Sequence, residues 1–286
     1  MKYTRILFFC ALTLLLLNGC TQEPKSNESS EDNTTYATVL ESDPAGNTLT
    51  IRLKSPEEST TVHVYPGDAL TYKKGMPIQG TLTGDHMDAI WPADPIQKRI
   101  MSDRNAHLRQ DTVTRGLKVF RAAGEYLPPF ALYSQDAQLI TPEAWKGQYV
   151  VMNFIFTRCA QPTMCPASTA RMVRLQREAK TKGIDNLQLV TITFDPEYDT
   201  PGILKYYALT RGIDTENFTL LTGPSTATQD LTKQFGILIR PDDGTLDHTM
   251  ATLIIDTQGK IRYRKDGSRW SVQEFIDQLN RIQANP

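Results

Sequence analysis

The chain has 286 residues, 40% of them hydrophobic, with 31 Lys and Arg against 32 Asp and Glu and a formal net charge of -1. That length and balance fit one or two ordinary globular domains, and without a Lys/Arg-rich block they argue against nucleic acid as a partner. Nothing in the composition is collagen-like, coiled or repeated.

Lys2 and Arg5 precede an apolar run from Ile6 to Leu17, and small residues follow at Asn18-Gly19-Cys20. This order reads as an export signal, and the run is too short to span a bilayer. Leu17-Asn18-Gly19-Cys20 resembles a bacterial lipobox. The resemblance implies that residues 1–19 are a lipoprotein signal peptide, that Cys10 is discarded with it, and that Cys20 becomes a lipidated first residue. The expected location is the cell envelope, on the extracytoplasmic side of a bacterial membrane, where thiols tend to oxidise.

Residues 20–35 then lack any large apolar side chain and read as a disordered tether. Flexible-chain scaling gives such a segment a reach of roughly 20 Å.

Short alternating segments follow at Tyr36 to Glu41, Thr48 to Leu53, Thr60 to Tyr65, Ile78 to Thr83 and Met87 to Trp91. Turn chemistry separates them at Asp43-Pro-Ala-Gly-Asn47, Pro56, Pro66-Gly67 and Gly84-Asp85. Five such strands predict a small all-β barrel over residues 36–93, of the OB or SH3 kind. His63, Met76, His86, Met87 and Trp91 are its only candidate metal ligands, and they read as packing or surface residues. Asp94-Pro95 then signals a helix start, with Ile96, Ile100 and Leu108 as a sparse apolar stripe on a linker helix over 94–116.

From residue 117 to 286 strands alternate with helices, which points to an α/β layer fold. Tyr149 to Phe156 is a continuous apolar run and predicts a buried strand. A second strand is expected at Leu187 to Phe194, helices near Pro201 to Thr210 and Thr226 to Phe235, and strands at Ala251 to Ile255 and Lys260 to Arg264. A last helix starts at Ser271, where Glu274 completes a capping box. The order strand, cysteine loop, helix, strand, helix, hairpin, helix is that of a thioredoxin-like domain.

With Cys10 and Cys20 accounted for, Cys159 and Cys165 are the only thiols left. They sit where the strand at Tyr149 to Phe156 runs out, with Pro166 opening the next helix. A thiol pair in that position suits redox chemistry or soft-metal binding. A permanent structural disulfide is the plainer reading, but a large packed domain has little need of such a staple.

Several motifs occur in the order found in the Sco/SenC family: Leu127-Pro-Pro-Phe-Ala-Leu, Trp145 through Cys159, Cys165-Pro166, Asp195-Pro-Glu-Tyr-Asp-Thr-Pro201, Leu221-Thr-Gly223 and Asp247-His248. From Leu127 onward the chain resembles that family of membrane-anchored, thioredoxin-like copper chaperones for cytochrome c oxidase. The resemblance implies copper as the bound ion, with Cys159, Cys165 and His248 as its ligands. It further implies a cytochrome c oxidase subunit or its copper-assembly factors as partners, a thioredoxin-like reductant that keeps the cysteines reduced, and the membrane reached through the lipid anchor. Two thiolates and one imidazole suit soft Cu(I). Asp195 is a candidate supporting group beside the metal loop, although Asp195 to Pro201 also reads as a turn and helix cap.

Two departures mark an atypical member. Five residues, Ala160 to Met164, separate the cysteines where ordinary members have three, and Met164 adds a thioether that reads mainly as packing. Thioredoxin-type reductases also carry a proline before the strand that here begins at Ala251, and this chain has Thr249-Met250. The first expectation is therefore a metallochaperone. The alternative is a thiol-disulfide oxidoreductase using Cys159 and Cys165 as its redox pair, and a peroxidase or redox sensor ranks last.

Overall fold

A computed structural model describes residues 33–116, 120–242 and 245–285. The export signal, Cys20 and the tether as far as Asp32 lie outside the described residues. Among the described residues no helix is long and apolar enough to cross a membrane.

The first part is built from β1 (Thr34–Asp43), β2 (Thr48–Leu53), β3 (Ser59–His63), α1 (Pro66–Thr71), β4 (Pro77–Thr83) and β5 (His86–Pro92). The strands close into a barrel in the order β1-β2-β3-β5-β4. Strict alternation drives the closure: Ala37 and Val39 of β1, and Leu49 and Ile51 of β2, point inward and are fully buried. Tyr72 fills the centre and donates its hydroxyl hydrogen to the Ile90 carbonyl at 2.7 Å, so the one polar atom of that ring is satisfied. The short helix α1 arises where Pro66-Gly67 reads as a turn, because Pro66 at the first helical position follows an extended Tyr65.

A long helix, α2 (Pro95–Arg115), comes next. Asp94 caps it by accepting from the Ile96 and Gln97 amides at 2.8 and 3.1 Å. The expected apolar stripe is corrected here. Leu108 is buried as expected, whereas Ile96 and Ile100 face solvent and Met101 and Thr112 join Leu108 on the buried face. The intervals of seven and four residues keep those three on one side of the helix.

The second part adds β6 (Leu132–Ser134), β7 (Leu139–Ile140), β8 (Tyr149–Ile155), α3 (Cys165–Thr181), β9 (Leu187–Thr193), α4 (Pro201–Arg211) and β10 (Phe218–Thr222). It continues through α5 (Ser225–Gln234), β11 (Ile239–Asp242), β12 (Thr245–His248), β13 (Ala251–Ile255), β14 (Ile261–Asp266) and α6 (Val272–Ala284). One seven-stranded sheet runs β14-β13-β8-β9-β10-β6-β7, and β11 and β12 form a separate hairpin. All seven residues of β8 are buried, as a central strand covered on both faces requires. Its one polar residue, Asn153, donates to Ser168 Oγ at 3.0 Å and accepts from Thr191 Oγ1 at 2.6 Å, so it carries no desolvation penalty. The Ser271–Glu274 capping box forms and starts α6.

The two parts are welded together. Ala137, in the turn between β6 and β7, packs into the barrel core, and Thr71 donates to the Gln135 carbonyl at 3.0 Å. Helix α1 lies against α4 so closely that Gly67 and Gly202 meet backbone to backbone.

Candidate metal centre

The site is built at the C-terminal end of β8. Cys159 sits in the loop after that strand, and Cys165 is the first residue of α3. Both are free and buried, with relative exposures of 9% and 1%. His248 closes β12, a strand end that the sequence shows only as the approach to Ala251. One ligand atom from each of Cys159, Cys165 and His248 lies within 4.8 Å of the others, and among the described residues this is the one such group of three.

The histidine is oriented for ligation. His248 Nδ1 faces the Thr249 carbonyl oxygen at 3.0 Å, and Nε2 faces Cys165 Sγ at 3.4 Å. A carbonyl can only accept, so Nδ1 carries the hydrogen and the Nε2 lone pair points at the cysteines. Phe194 and Phe156 pack on the ring, with centroids 4.7 and 5.5 Å away. Burial pushes the His248 pKa down and keeps the imidazole neutral, as a ligand must be.

Two effects compete at Cys165. A helix N-terminus stabilises a thiolate, by about 0.3–1 kcal/mol in ordinary settings. Burial acts the other way and wins, driving the Cys165 thiol well above its usual range, with neighbouring Cys159 adding to the rise. Without a cation the pocket therefore holds a neutral thiol. A bound ion would restore the thiolate and release its proton.

The distances fit a single metal. With metal–sulfur bonds of about 2.3 Å and metal–nitrogen bonds of about 2.0 Å, sulfur and nitrogen on one ion stand roughly 3.5–3.7 Å apart in tetrahedral or trigonal arrangements. The Cys165–His248 separation of 3.4 Å lies next to that range. Two buried sulfurs with one imidazole make a soft donor set.

Among the described residues Asp195 makes no hydrogen bond to any of the three. Its Oδ2 accepts from Arg158 Nε at 3.0 Å and Nη2 at 2.6 Å, and the Arg158 guanidinium also stacks on Tyr198 at 4.3 Å. It thus supports the residue next to Cys159. Met164 precedes α3 and packs against the core.

Within the expected turn and helix cap of Asp195 to Pro201, Thr200 and Asp199 divide the work. Thr200 caps α4, and the fully buried Asp199 accepts from the Thr157 amide at 3.1 Å and from the hydroxyls of Thr157 and Thr193. It ties the start of the cysteine loop to the end of β9.

A buried donor triad at this end of a thioredoxin-like sheet defines a thiol- and imidazole-based metal or redox protein. Residues 120–284 match the SCO1/SenC family model. The chain belongs to the SCO1/SenC family. It is 31% identical over 137 residues to the SCO1 protein homolog of Bacillus subtilis, covering 46% of this chain and 69% of that protein. It is also 31% identical over 165 residues to a provisionally named copper-binding protein of Stutzerimonas stutzeri, covering 56% and 76%. Among solved structures, a SCO1/SenC family lipoprotein from Bacillus anthracis superposes with a TM-score of 0.50 at 31% identity, covering 58% of this chain and 99% of that one. BsSco, described as a member of the Sco family of cytochrome c oxidase assembly proteins with a disulfide switch, superposes with a TM-score of 0.50 at 25% identity, covering 57% and 96%.

Proposed function

We propose that this protein binds one copper ion through Cys159, Cys165 and His248 and delivers it to a cytochrome c oxidase subunit or its copper-assembly factors. The carrying observation is the convergence of the three ligand atoms within 4.8 Å. Two sulfurs and one oriented imidazole, with no fourth Cys, His or carboxylate in the group among the described residues, suit Cu(I), which is content with few soft donors. The Stutzerimonas relative is named for copper binding, and BsSco is described with oxidase assembly. Both support the reading.

Delivery proceeds by ligand exchange. A partner thiolate or imidazole replaces His248 or one cysteine at a time, copper keeps its oxidation state, and the released thiolate regains a proton. The cysteines must be reduced first, which assigns a thioredoxin-like reductant as a second partner. Cys20, as a lipidated residue, would hold the domain at the extracytoplasmic membrane surface. The Bacillus anthracis neighbour's description as a lipoprotein supports that placement.

Anaerobic titration of the reduced protein with Cu(I), in competition with a chelator of known affinity, tests the reading. One tight site is expected in the native protein, and none in Cys159→Ser or Cys165→Ser. Tight binding that survives both substitutions would end it.

The alternative, a thiol-disulfide oxidoreductase, draws support from the disulfide switch attributed to BsSco. A neutral, buried Cys165 argues against it as an attacking nucleophile, since only thiolate attacks. Rapid exchange with a protein dithiol, and no retained copper, would favour it.

A further inference from the structure

Two of the four histidines in the chain meet on the barrel, away from the cysteine centre. Strands β3 and β5 run parallel and pair at one position, His63 with His86. Adjacent strands lie about 4.8 Å apart, so residues paired in this way hold their side chains side by side. The two imidazole centroids stand 5.3 Å apart with the rings tilted by 34°. Both side chains are exposed, so an ion could reach them from solvent.

Asp85 completes the arrangement. Its Oδ1 lies 2.7 Å from His86 Nδ1, and its backbone carbonyl accepts from the His63 amide at 2.7 Å. The carboxylate fixes the hydrogen on His86 Nδ1 and leaves Nε2 with its lone pair free. This is the carboxylate–histidine pairing that orients metal-binding imidazoles. The His63 ring makes no hydrogen bond among the described residues.

We propose that His63 and His86 form a second metal site, one that takes a divalent late first-row ion and binds Cu(II) most tightly. Two imidazoles on one ion, with metal–nitrogen bonds of about 2.0 Å, place their centroids roughly 4.5–5.5 Å apart, and the observed spacing falls within that window. Imidazole suits copper, nickel and zinc, and among divalent ions the affinity order peaks at copper. Water fills the remaining positions on this open surface. The site shares no residue with the cysteine centre, so it stands or falls separately from the reading of that centre.

The test uses the untagged full chain carrying Cys10→Ser, Cys20→Ser, Cys159→Ser and Cys165→Ser, which removes every thiol that Cu(II) would oxidise. Titration with Cu(II) against a weak competitor is expected to give one site, and the electron paramagnetic resonance spectrum at one equivalent should show coupling to two imidazole nitrogens. His63→Ala or His86→Ala should each remove one nitrogen and lower affinity at least tenfold. Asp85→Asn should lower it by about tenfold, as loss of an orienting partner does. His107→Ala should change nothing, and circular dichroism should confirm that every variant is folded. Unchanged binding in both His63→Ala and His86→Ala, or a spectrum with oxygen ligands alone, would overturn the proposal.

Discussion

His248 Nε2 lies 3.4 Å from Cys165 Sγ, although 83 residues separate them in the chain. The other ring nitrogen is committed to the Thr249 carbonyl, so the imidazole has one free lone pair, and it is aimed at sulfur. In nitrogen-15 NMR of the reduced apoprotein, His248 should therefore appear as the Nδ1–H tautomer and should titrate below the ordinary histidine value. His248→Ala should weaken Cu(I) binding by more than tenfold while leaving the two sulfurs in place. Retention of full affinity would remove the histidine from the ligand set and leave a two-sulfur site.

Asp199 should matter more than Asp195, the residue the motif brings forward. The Asp199 carboxylate is buried among three donors from Thr157 and Thr193. Burial nonetheless raises its pKa to about 6. Asp199→Asn turns an acceptor oxygen into a donor that faces donors. Loss of charge-assisted bonds of this kind costs about 2–3 kcal/mol. The variant should show that loss in denaturant unfolding and a roughly tenfold weaker Cu(I) affinity, because the loop before Cys159 is released. Asp195→Asn should cost about 1 kcal/mol or less, since its partner Arg158 is half exposed. A reversed ranking of the two would refute this division of labour.

The same contrast shows what could be read from the chain. Strands β1 to β5 declare themselves by alternation between turn residues, β8 and β9 by unbroken apolar runs, and α6 by its capping box. Helix α1 does not, because six residues beginning Pro66-Gly67 look like a turn until α4 packs on them. Strand β12 is short and polar, so His248 is visible as a candidate but its strand is not. Cys159, Cys165 and His248 stand out because the chain has so few thiols and imidazoles. The role of Asp199 is hidden: Asp-Thr-Pro reads identically whether the carboxylate caps α4 or turns back to Thr157, 42 residues earlier. Tertiary approach decides that choice.

Stability should fall as pH rises through the neutral range because of Asp68. This carboxyl is buried at the barrel face of the α1–α4 contact, and its Oδ1 has no hydrogen-bond partner among the described residues. Burial, with a smaller contribution from Asp88, raises its pKa to about 8. The folded protein therefore holds a proton that the unfolded chain gives up near pH 4. Stability from this group is complete below that point and is lost as pH climbs to about 8, with a slope of at most about 1.4 kcal/mol per pH unit. Asp199 acts in the same direction only up to about 6. Above about pH 6 Asp68 outlasts Asp199, while the lowered His248 pKa acts in the opposite direction and only as far as the ordinary histidine value. Unfolding free energies of Asp68→Asn should lack this decline, and a variant that tracks the native protein would show that Asp68 ionises freely in the fold.

The barrel's attachment to the sheet domain should depend on two glycines. A methyl group on Gly67 would overlap the carbonyl oxygen of Gly202, and one on Gly202 would overlap the Asp68 carboxyl. Both clashes are with groups that cannot swing away, since one is helix backbone and the other is packed beneath it. Overpacking at rigid contacts costs about 1–3 kcal/mol. Gly67→Ala should therefore lower the melting temperature and should separate the thermal transition into barrel and sheet-domain steps, read by calorimetry. Gly84→Ala is the contrast. Its added methyl meets open space, although its φ of 61° strains an alanine at that hairpin turn. It should lower stability without splitting the transition. A single, cooperative transition in Gly67→Ala at the native temperature would mean that α1 and α4 separate by a small shift without cost, and that the remaining contacts, among them Thr71 with Gln135 and Trp91 with Tyr133, hold the two parts together.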